Sequence, residues 1–178
     1  YICVHFQVWH TSWQGKVLQI GNPYEIYEQP ATAFVAKFIG ETNLFDAAVA
    51  ACEAHTDGFM VTLDTPVLGT SVKITDYDKT KVGQPVCFTV RPEKIRITQK
   101  PPETGGRTDI NVFKGIVEEP IYSGFQSKFY VKLETGTIIK VFKQHTNYMD
   151  QGPIIQWKDE VYISWSADDG YVVEDIEK

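Results

Sequence analysis

The stretch Ser127-Lys-Phe-Tyr-Val-Lys-Leu-Glu-Thr-Gly-Thr-Ile-Ile-Lys-Val-Phe142 decides the fold. Phe129, Val131 and Leu133 alternate with Lys128, Tyr130, Lys132 and Glu134; Thr135-Gly136 supplies a turn; Ile139 and Val141 then alternate with Lys140 and Phe142. A period of two gives each strand one apolar face and one wet face, so the stretch predicts an antiparallel hairpin.

Outward from this hairpin, short β-branched and aromatic runs are separated by Gly, Pro and Asp turns. They predict further strands over Leu44–Cys52, Gly58–Leu63, Ser71–Ile74, Pro85–Arg91, Ile95–Thr98, Asn111–Ser123, Glu160–Trp165 and Tyr171–Glu174, with the hairpin strands at Ser127–Glu134 and Thr137–Phe142. The loop Lys100-Pro-Pro-Glu-Thr-Gly-Gly-Arg107 divides them into an earlier and a later half. No connection looks long enough for a crossover helix, which leaves a small antiparallel barrel or sandwich, with an OB-like barrel among the candidates.

Two short helices precede the strands. Gly15–Gly21 reads as a strand, and Asn22-Pro23-Tyr24-Glu25 is a helix start with Asn as cap and Pro at the first helical position. Pro30 ends that helix. Phe34, Val35, Phe38 and Ile39 then share one face of a second helix, which Gly40 is expected to close in a left-handed conformation, as Gly21 is expected to do at its own turn. In the first fourteen residues Val4, Phe6 and Val8 alternate with His5 and Gln7, so a strand pairing with Lys16–Ile20 or with a second copy is expected, with Trp9 and Trp13 seeking an apolar surface.

The 178 residues suit one domain, or one domain plus an appendage, at roughly 100 to 150 residues per domain. Hydrophobic residues at 43% and charged residues at 22% are a globular balance. The net charge of −6, with 14 Lys against 3 Arg, disfavours a general nucleic-acid binder. No run approaches the roughly 18 apolar residues of a membrane span, and no basic residue precedes an apolar run at the start, so a soluble, unexported chain is expected. Cys3, Cys52 and Cys87 are odd in number and widely spaced, which suits reduced thiols.

The motifs of common chemistries do not fit. No window matches Gly-x4-Gly-Lys-Ser/Thr or Gly-x-Gly-x-x-Gly. His5 and His10 stand five apart, without the four-residue spacing of a helical metal site. Glu118-Glu119 and Asp168-Asp169 are neighbours that face apart or face water. Ser123 and Ser127 flank Gly124 without a nucleophile elbow, although His145 lies downstream. Against the global charge, Lys128, Lys132, Lys140 and Lys143, with Tyr130 and Phe142 among them, are expected on one wet strand face, either as a nucleic-acid platform or as lysines that keep the strand soluble and block edge pairing.

Gly15-Lys-Val-Leu-Gln-Ile-Gly-Asn-Pro-Tyr-Glu-Ile-Tyr-Glu-Gln-Pro30, followed by Phe34-Val-Ala-Lys-Phe-Ile-Gly-Glu-Thr-Asn43, resembles the end of an ABC-transporter ATP-binding subunit of the importer class. Val90-Arg-Pro-Glu-Lys-Ile-Arg-Ile97, Gly115-Ile-Val-Glu118, Tyr122-Ser-Gly124 and Asp159–Trp165 are similar to later pieces of the same family, and the wording Phe-Ile-Gly-Glu-Thr-Asn resembles the spermidine/putrescine type. The first fourteen residues depart from the family's lead-in: His5 precedes Phe6 and His10 precedes Thr11, where the family has a switch histidine followed by Asp.

The resemblance implies a mainly β fold, an OB-like barrel called a TOBE domain preceded by two short helices. It implies residues 1–40 as the end of a nucleotide-binding domain with a two-helix linker, and 41–178 as the barrel. The implied role is regulatory and non-catalytic, with ATP and magnesium belonging to the full-length subunit and no cofactor in this stretch. Asn43, Arg91, Glu93, Tyr122 and Gly124 become candidate regulatory or interface residues, Arg91 and Glu93 as an ion pair; Lys128, Tyr130, Lys132, Lys140 and Lys143 become a candidate ligand face. The implied partners are a second copy, the nucleotide-binding domain and the membrane permease subunits, at the inner face of the cell membrane, with no nucleic acid. A ligand-sensing barrel for an oxyanion or polyamine, and a single-stranded nucleic-acid binder, are the rival functions.

Overall fold

A computed structural model describes residues 2–5, 8–14, 16–145 and 154–173. It begins with an antiparallel meander of β1 (Ile2–His5), β2 (Val8–Trp13) and β3 (Lys16–Gly21). The early segment is therefore two strands: β2, with His10 opposite Ile20, pairs with β3, and β1 folds back on β2 with Cys3 opposite His10. Phe6 and Gln7 lie outside the described residues, as do the side chains of Trp9 and Trp13.

Helix α1 (Pro23–Glu28) starts as expected. The Asn22 side chain accepts from the Glu25 amide at 2.9 Å, and the Glu25 carboxylate accepts from the Asn22 amide at 3.0 Å, a reciprocal capping box. Thr32 caps α2 (Ala33–Ile39) through the Val35 amide. Gly40 and Gly21 are not left-handed. Gly40 sits at φ −176°, extended, because the chain leaves α2 directly into a strand. Its glycine answers to space: a Cβ there would lie 3.3 Å from the Tyr27 ring, and one at Gly21 would lie 2.8 Å from the Glu25 carboxylate.

The rest is β. One sheet joins β4 (Asn43–His55), β5 (Gly58–Thr65), β6 (Thr70–Asp76), β7 (Pro85–Val90) and β13 (Gly170–Val173) in the order β13-β7-β4-β5-β6. The other joins β8 (Arg96–Thr98), β9 (Ile110–Tyr122), β10 (Gln126–Leu133), β11 (Ile138–Gln144) and β12 (Glu160–Ser166) in the order β11-β10-β9-β12-β8. All pairings are antiparallel. Each expected strand is present with ends moved by a few residues; Glu174 lies outside the described residues.

The two sheets repeat one plan. Four strands lie in one sheet, a single 3-10 turn follows (Pro92–Lys94 or Ala167–Asp169), and the fifth strand crosses to pair in the other sheet. The repeat extends to detail. One residue bulges at Ala50 in β4 and one at Glu118 in β9, since Val49 and Ala51 face Leu63 and Thr62 while Val117 and Glu119 face Val131 and Tyr130. Just before each bulge, Val49 and Val117 exchange backbone bonds with the segments leading into β7 and β12. Asn43 and Asn111 each bond both backbone groups of a lysine in the opposite sheet, Lys140 and Lys73 respectively.

The inward faces form one continuous core, from Phe45, Val61, Leu63 and Phe88 on one side to Phe129, Val131, Ile139 and Ile163 on the other. Trp165 stacks on Phe113 at 4.9 Å within it. Burying one such side chain contributes about 1.5–3 kcal/mol, so this shared core is a main force holding the two sheets together. Ile26, Val35 and Ala36 are fully buried yet lie outside that cluster, as a separate small core under the helix pair.

Candidate functional site

The helix pair meets the barrel at Arg91, the residue that follows β7 and caps the Pro92–Lys94 turn. Only 4% of Arg91 is exposed. Its Nη2 donates to the Tyr27 carbonyl at 2.7 Å, and its Nη1 donates to the Ala36 carbonyl at 3.1 Å and the Glu41 carbonyl at 3.5 Å. Ala36 is in the last turn of α2, where carbonyls lack helical partners and a cation is favoured. The guanidinium also lies 4.1 Å from the centroid of the Tyr27 ring. Burial draws the Arg91 pKa down, opposed by Tyr27 and Glu93, but a guanidinium stays charged in proteins.

The expected Arg91–Glu93 ion pair is replaced by something else. The two Nη groups of Arg91 donate to backbone carbonyls, its buried Nε has no partner among the described residues, and Glu93 accepts the Tyr27 hydroxyl. Arg91 lies over the Tyr27 ring and Glu93 at its hydroxyl, so one tyrosine engages both side chains. Burial first, then the hydrogen bond to Glu93, pushes the Tyr27 phenol up to about 12.

Glu41, two residues past the end of α2, connects this junction to the hairpin. Its carboxylate meets Lys128 Nζ at 2.6 Å and Lys140 Nζ at 3.5 Å. The hydrogen bond from Lys128 is the main cause holding the Glu41 carboxyl below the usual range, and Glu41 raises Lys128 in turn. Asn43 is buried, donates to the Lys140 carbonyl at 2.8 Å and accepts from the Lys140 amide at 2.8 Å. The Thr42 hydroxyl bonds the Thr89 hydroxyl.

The structure divides the lysine face. Lys128, Tyr130 and Lys132 of β10 share the outward face with Lys140 and Phe142 of β11. Lys143 does not: it lies opposite Ser127, in the alternation of buried Val141 and Ile139, because three residues separate it from Lys140 on a strand with period two. Lys128 Nζ sits 4.7 Å from the Phe142 ring. Tyr122 and Gly124 belong elsewhere, to the tip between β9 and β10. Tyr122 is 74% exposed and tilts over His145, which bonds Ser127 at 2.8 Å. Gly124 has φ +82° in open space, the requirement of a tight turn.

Sequence reasoning did not single out Tyr27 or Glu41. Both lie inside the motif blocks that carry the resemblance, and Glu41 precedes the Asn that the reading did select. A second feature also lay beyond reach, an open cleft of about 640 Å³ whose walls include Glu28, Asp57, Asp76, Asp109 and Asp168 with Tyr24 and Tyr77. Burial raises the Asp76 carboxyl, and Lys94 in the same wall pairs with Glu28 at 3.5 Å. Among the described residues no three His, Cys, Asp or Glu side chains are placed to hold a metal ion. No helix among the described residues is long and apolar enough to cross a membrane.

Comparison with known families finds a match to the TOBE domain over residues 88–173, from β7 through β13. Residues 88–173 form a TOBE domain. The TOBE region and the helices before it align together with the spermidine/putrescine import ATP-binding protein PotA of Treponema pallidum, 59% identical over 165 residues. The PotA protein of Thermotoga maritima is 44% identical over 165 residues, and the putrescine transport ATP-binding protein PotG of Escherichia coli is 36% identical over 156. These alignments cover 92%, 93% and 87% of this chain but 43%, 43% and 39% of those proteins, so the chain spans less than half the length of the curated relatives it matches and corresponds to their C-terminal part. Among solved structures, the cytoplasmic molybdate-binding protein ModG shares the TOBE-type fold, with a TM-score of 0.61 at 15% identity, covering 74% of this chain and 96% of that one.

Proposed function

We propose that this TOBE region is the non-catalytic regulatory part of the ATP-binding subunit of a polyamine-type ABC importer. In this reading it positions the ATPase dimer, works with membrane permease subunits at the inner face of the cell membrane, and leaves ATP and magnesium to the portion of the subunit that this chain does not cover. The observation that carries it is the 59% identity over 165 residues, 92% of this chain. The junction geometry supports it. A helix pair bonded to the barrel through Arg91 delivers displacement of the preceding segment to the barrel, and a contact made in only one state biases an equilibrium by its differential free energy.

Light scattering of the purified chain over a range of concentrations tests the reading. A mass near twice 20.2 kDa that survives dilution is expected, since a second copy is the proposed partner. A monomer at every concentration would remove the dimer-positioning role.

A second reading, a sensor of a small solute, draws on a different observation. Lys128 and Lys140 already hold the Glu41 carboxylate, which counts against an oxyanion or a single-stranded nucleic acid on that face, whereas the carboxylates and tyrosines of the open cleft suit a cationic polyamine. Calorimetry with spermidine, sulfate and molybdate separates the readings: heat with spermidine alone supports the sensor, and silence with all three ends it.

A further inference from the structure

The duplicated plan provides an internal control for exposed surface. The same number of residues separates Asn43 from Gly58, where β5 starts, as separates Asn111 from Gln126, where β10 starts. The pairing of Ala54 with Phe59 and of Glu53 with Met60 repeats as Tyr122 with Ser127 and Ile121 with Lys128. The β4–β5 and β9–β10 hairpins are therefore two arms of one length and one register, each running past its bulge and beyond the core. Their ends differ. The first arm ends in Glu53, Ala54 and Asp57, all exposed; the matching places in the second hold Ile121, Tyr122 and Phe125. Phe125, at 71%, is as open as Tyr122, and Ile121 is 39% exposed. An arm of this shape forms with a polar end, so the apolar set serves something other than the barrel.

The second tip holds its aromatic residues in place. The His145 amide donates to the Phe125 carbonyl at 2.8 Å, the Ser123 amide and hydroxyl donate to the Gln126 carbonyl at 2.9 and 3.0 Å, and the His145 ring bonds Ser127. Anchors fixed in advance lose little freedom on binding, and Tyr and Phe are favoured at the centres of protein contacts. Size selects the partner. The three side chains offer about 300–400 Å², whereas association of two free proteins takes about 800 Å² from each. So small a contact persists when the partner is tethered, since a linker raises its effective concentration to about millimolar. The arm stands where a tether arrives: Ile121 lies opposite Lys128, whose Nζ holds Glu41 just past α2. The PotA relatives carry more than half of their length outside the aligned C-terminal part. We propose that Ile121, Tyr122 and Phe125 dock the β9–β10 tip into an apolar groove on the preceding portion of the same subunit. The docking rests on reading the chain as the C-terminal part of an ATP-binding subunit, and not on the dimer.

Hydroxyl-radical footprinting read by mass spectrometry, on the full-length subunit and on this chain by itself, tests the docking. Oxidation of Tyr122 and Phe125 should fall about threefold or more in the full-length subunit, as for anchors entering a desolvated pocket, and stay low on dilution. Tyr122→Ala combined with Phe125→Asp, which copies the first arm, should leave the melting temperature of this chain little changed and lower that of the full-length subunit. Equal oxidation at both lengths would overturn the proposal. So would shielding that this chain shows by itself and loses on dilution, which assigns the tip to a second copy. An equal drop in both melting temperatures would make the tip structural and overturn it as well. Footprinting of the unaltered proteins decides if the double variant fails to fold. A monomeric full-length subunit with a shielded tip would remove the dimer-positioning role and leave this contact standing; an open tip in a lasting dimer would do the reverse.

Discussion

The guanidinium of Arg91 lies 4.1 Å from the ring centroid of Tyr27 and at the same time donates, at 2.7 Å, to the backbone carbonyl of that residue. One side chain thus fixes both the position of α1 and the orientation of its aromatic ring. Arg91→Ala removes three carbonyl partners and leaves the ring uncovered; a loss of about 2–4 kcal/mol is expected in urea unfolding. Arg91→Lys keeps the charge but cannot reproduce the fork, so it should recover less than half of that loss. Unchanged stability in Arg91→Ala would show that the helix pair is held by its apolar contacts alone.

Tyr27 makes the junction sensitive to alkali. Its phenol is raised from the ordinary 10.0 to about 12, by burial and then by the bond to Glu93. The folded protein therefore keeps a proton that the unfolded chain has lost, so this contribution is complete below about pH 10 and is lost as pH rises from 10 to 12. A tyrosinate absorbance titration should contain a component with a midpoint near 12 that Tyr27→Phe abolishes. Its absence from the unaltered protein would contradict the burial of this hydroxyl.

Asn43 and Asn111 close the two seams between the sheets with the same double bond to a lysine backbone. Truncating either to Ala strands an amide and a carbonyl on a neighbouring strand, at about 1–3 kcal/mol. The two sites share no partner, so the double variant should lose the sum of the single losses within about 0.5 kcal/mol. Denaturant unfolding of the four proteins gives the comparison, and a large shortfall from additivity would mean that opening one seam opens the other.

Two glycines separate space from backbone conformation. A Cβ at Gly115 would lie 2.6 Å from Val131 Cγ1 and 2.8 Å from the Lys132 carbonyl, so Gly115→Ala forces strands β9 and β10 apart, at about 1–3 kcal/mol or more. Gly124 has open space around it but φ +82°, so Gly124→Ala incurs only left-handed strain, about 1–2 kcal/mol. Thermal melts should rank Gly115→Ala as the less stable variant.

The β order and the helix starts were legible in the sequence because local rules govern them. Alternation set the hairpin faces, and Asn22-Pro23 set the first cap. The failures share one cause, which is that residues far apart in sequence decide them. Gly40 reads as a left-handed cap until the close approach of Tyr27 is known. Arg91 and Glu93 read as a pair until each is found engaged with Tyr27. Lys143 was grouped with Lys140 by charge, although strand parity already placed it on the other face. The duplication left a trace in the sequence: Asn43-Leu-Phe45 and Asn111-Val-Phe113 open the two halves alike.

The crossing of β8 and β13 governs how the molecule comes apart. Each half lends its last strand to the sheet of the other, so a cut in the loop at residues 100–107 yields two fragments that each lack an edge strand and carry a surplus one. Neither fragment completes a sheet alone, and both sheets must be paired before either is whole. A fold built twice over is therefore expected to unfold as one unit, and the contacts between its halves, far apart along the chain, are expected to close slowly.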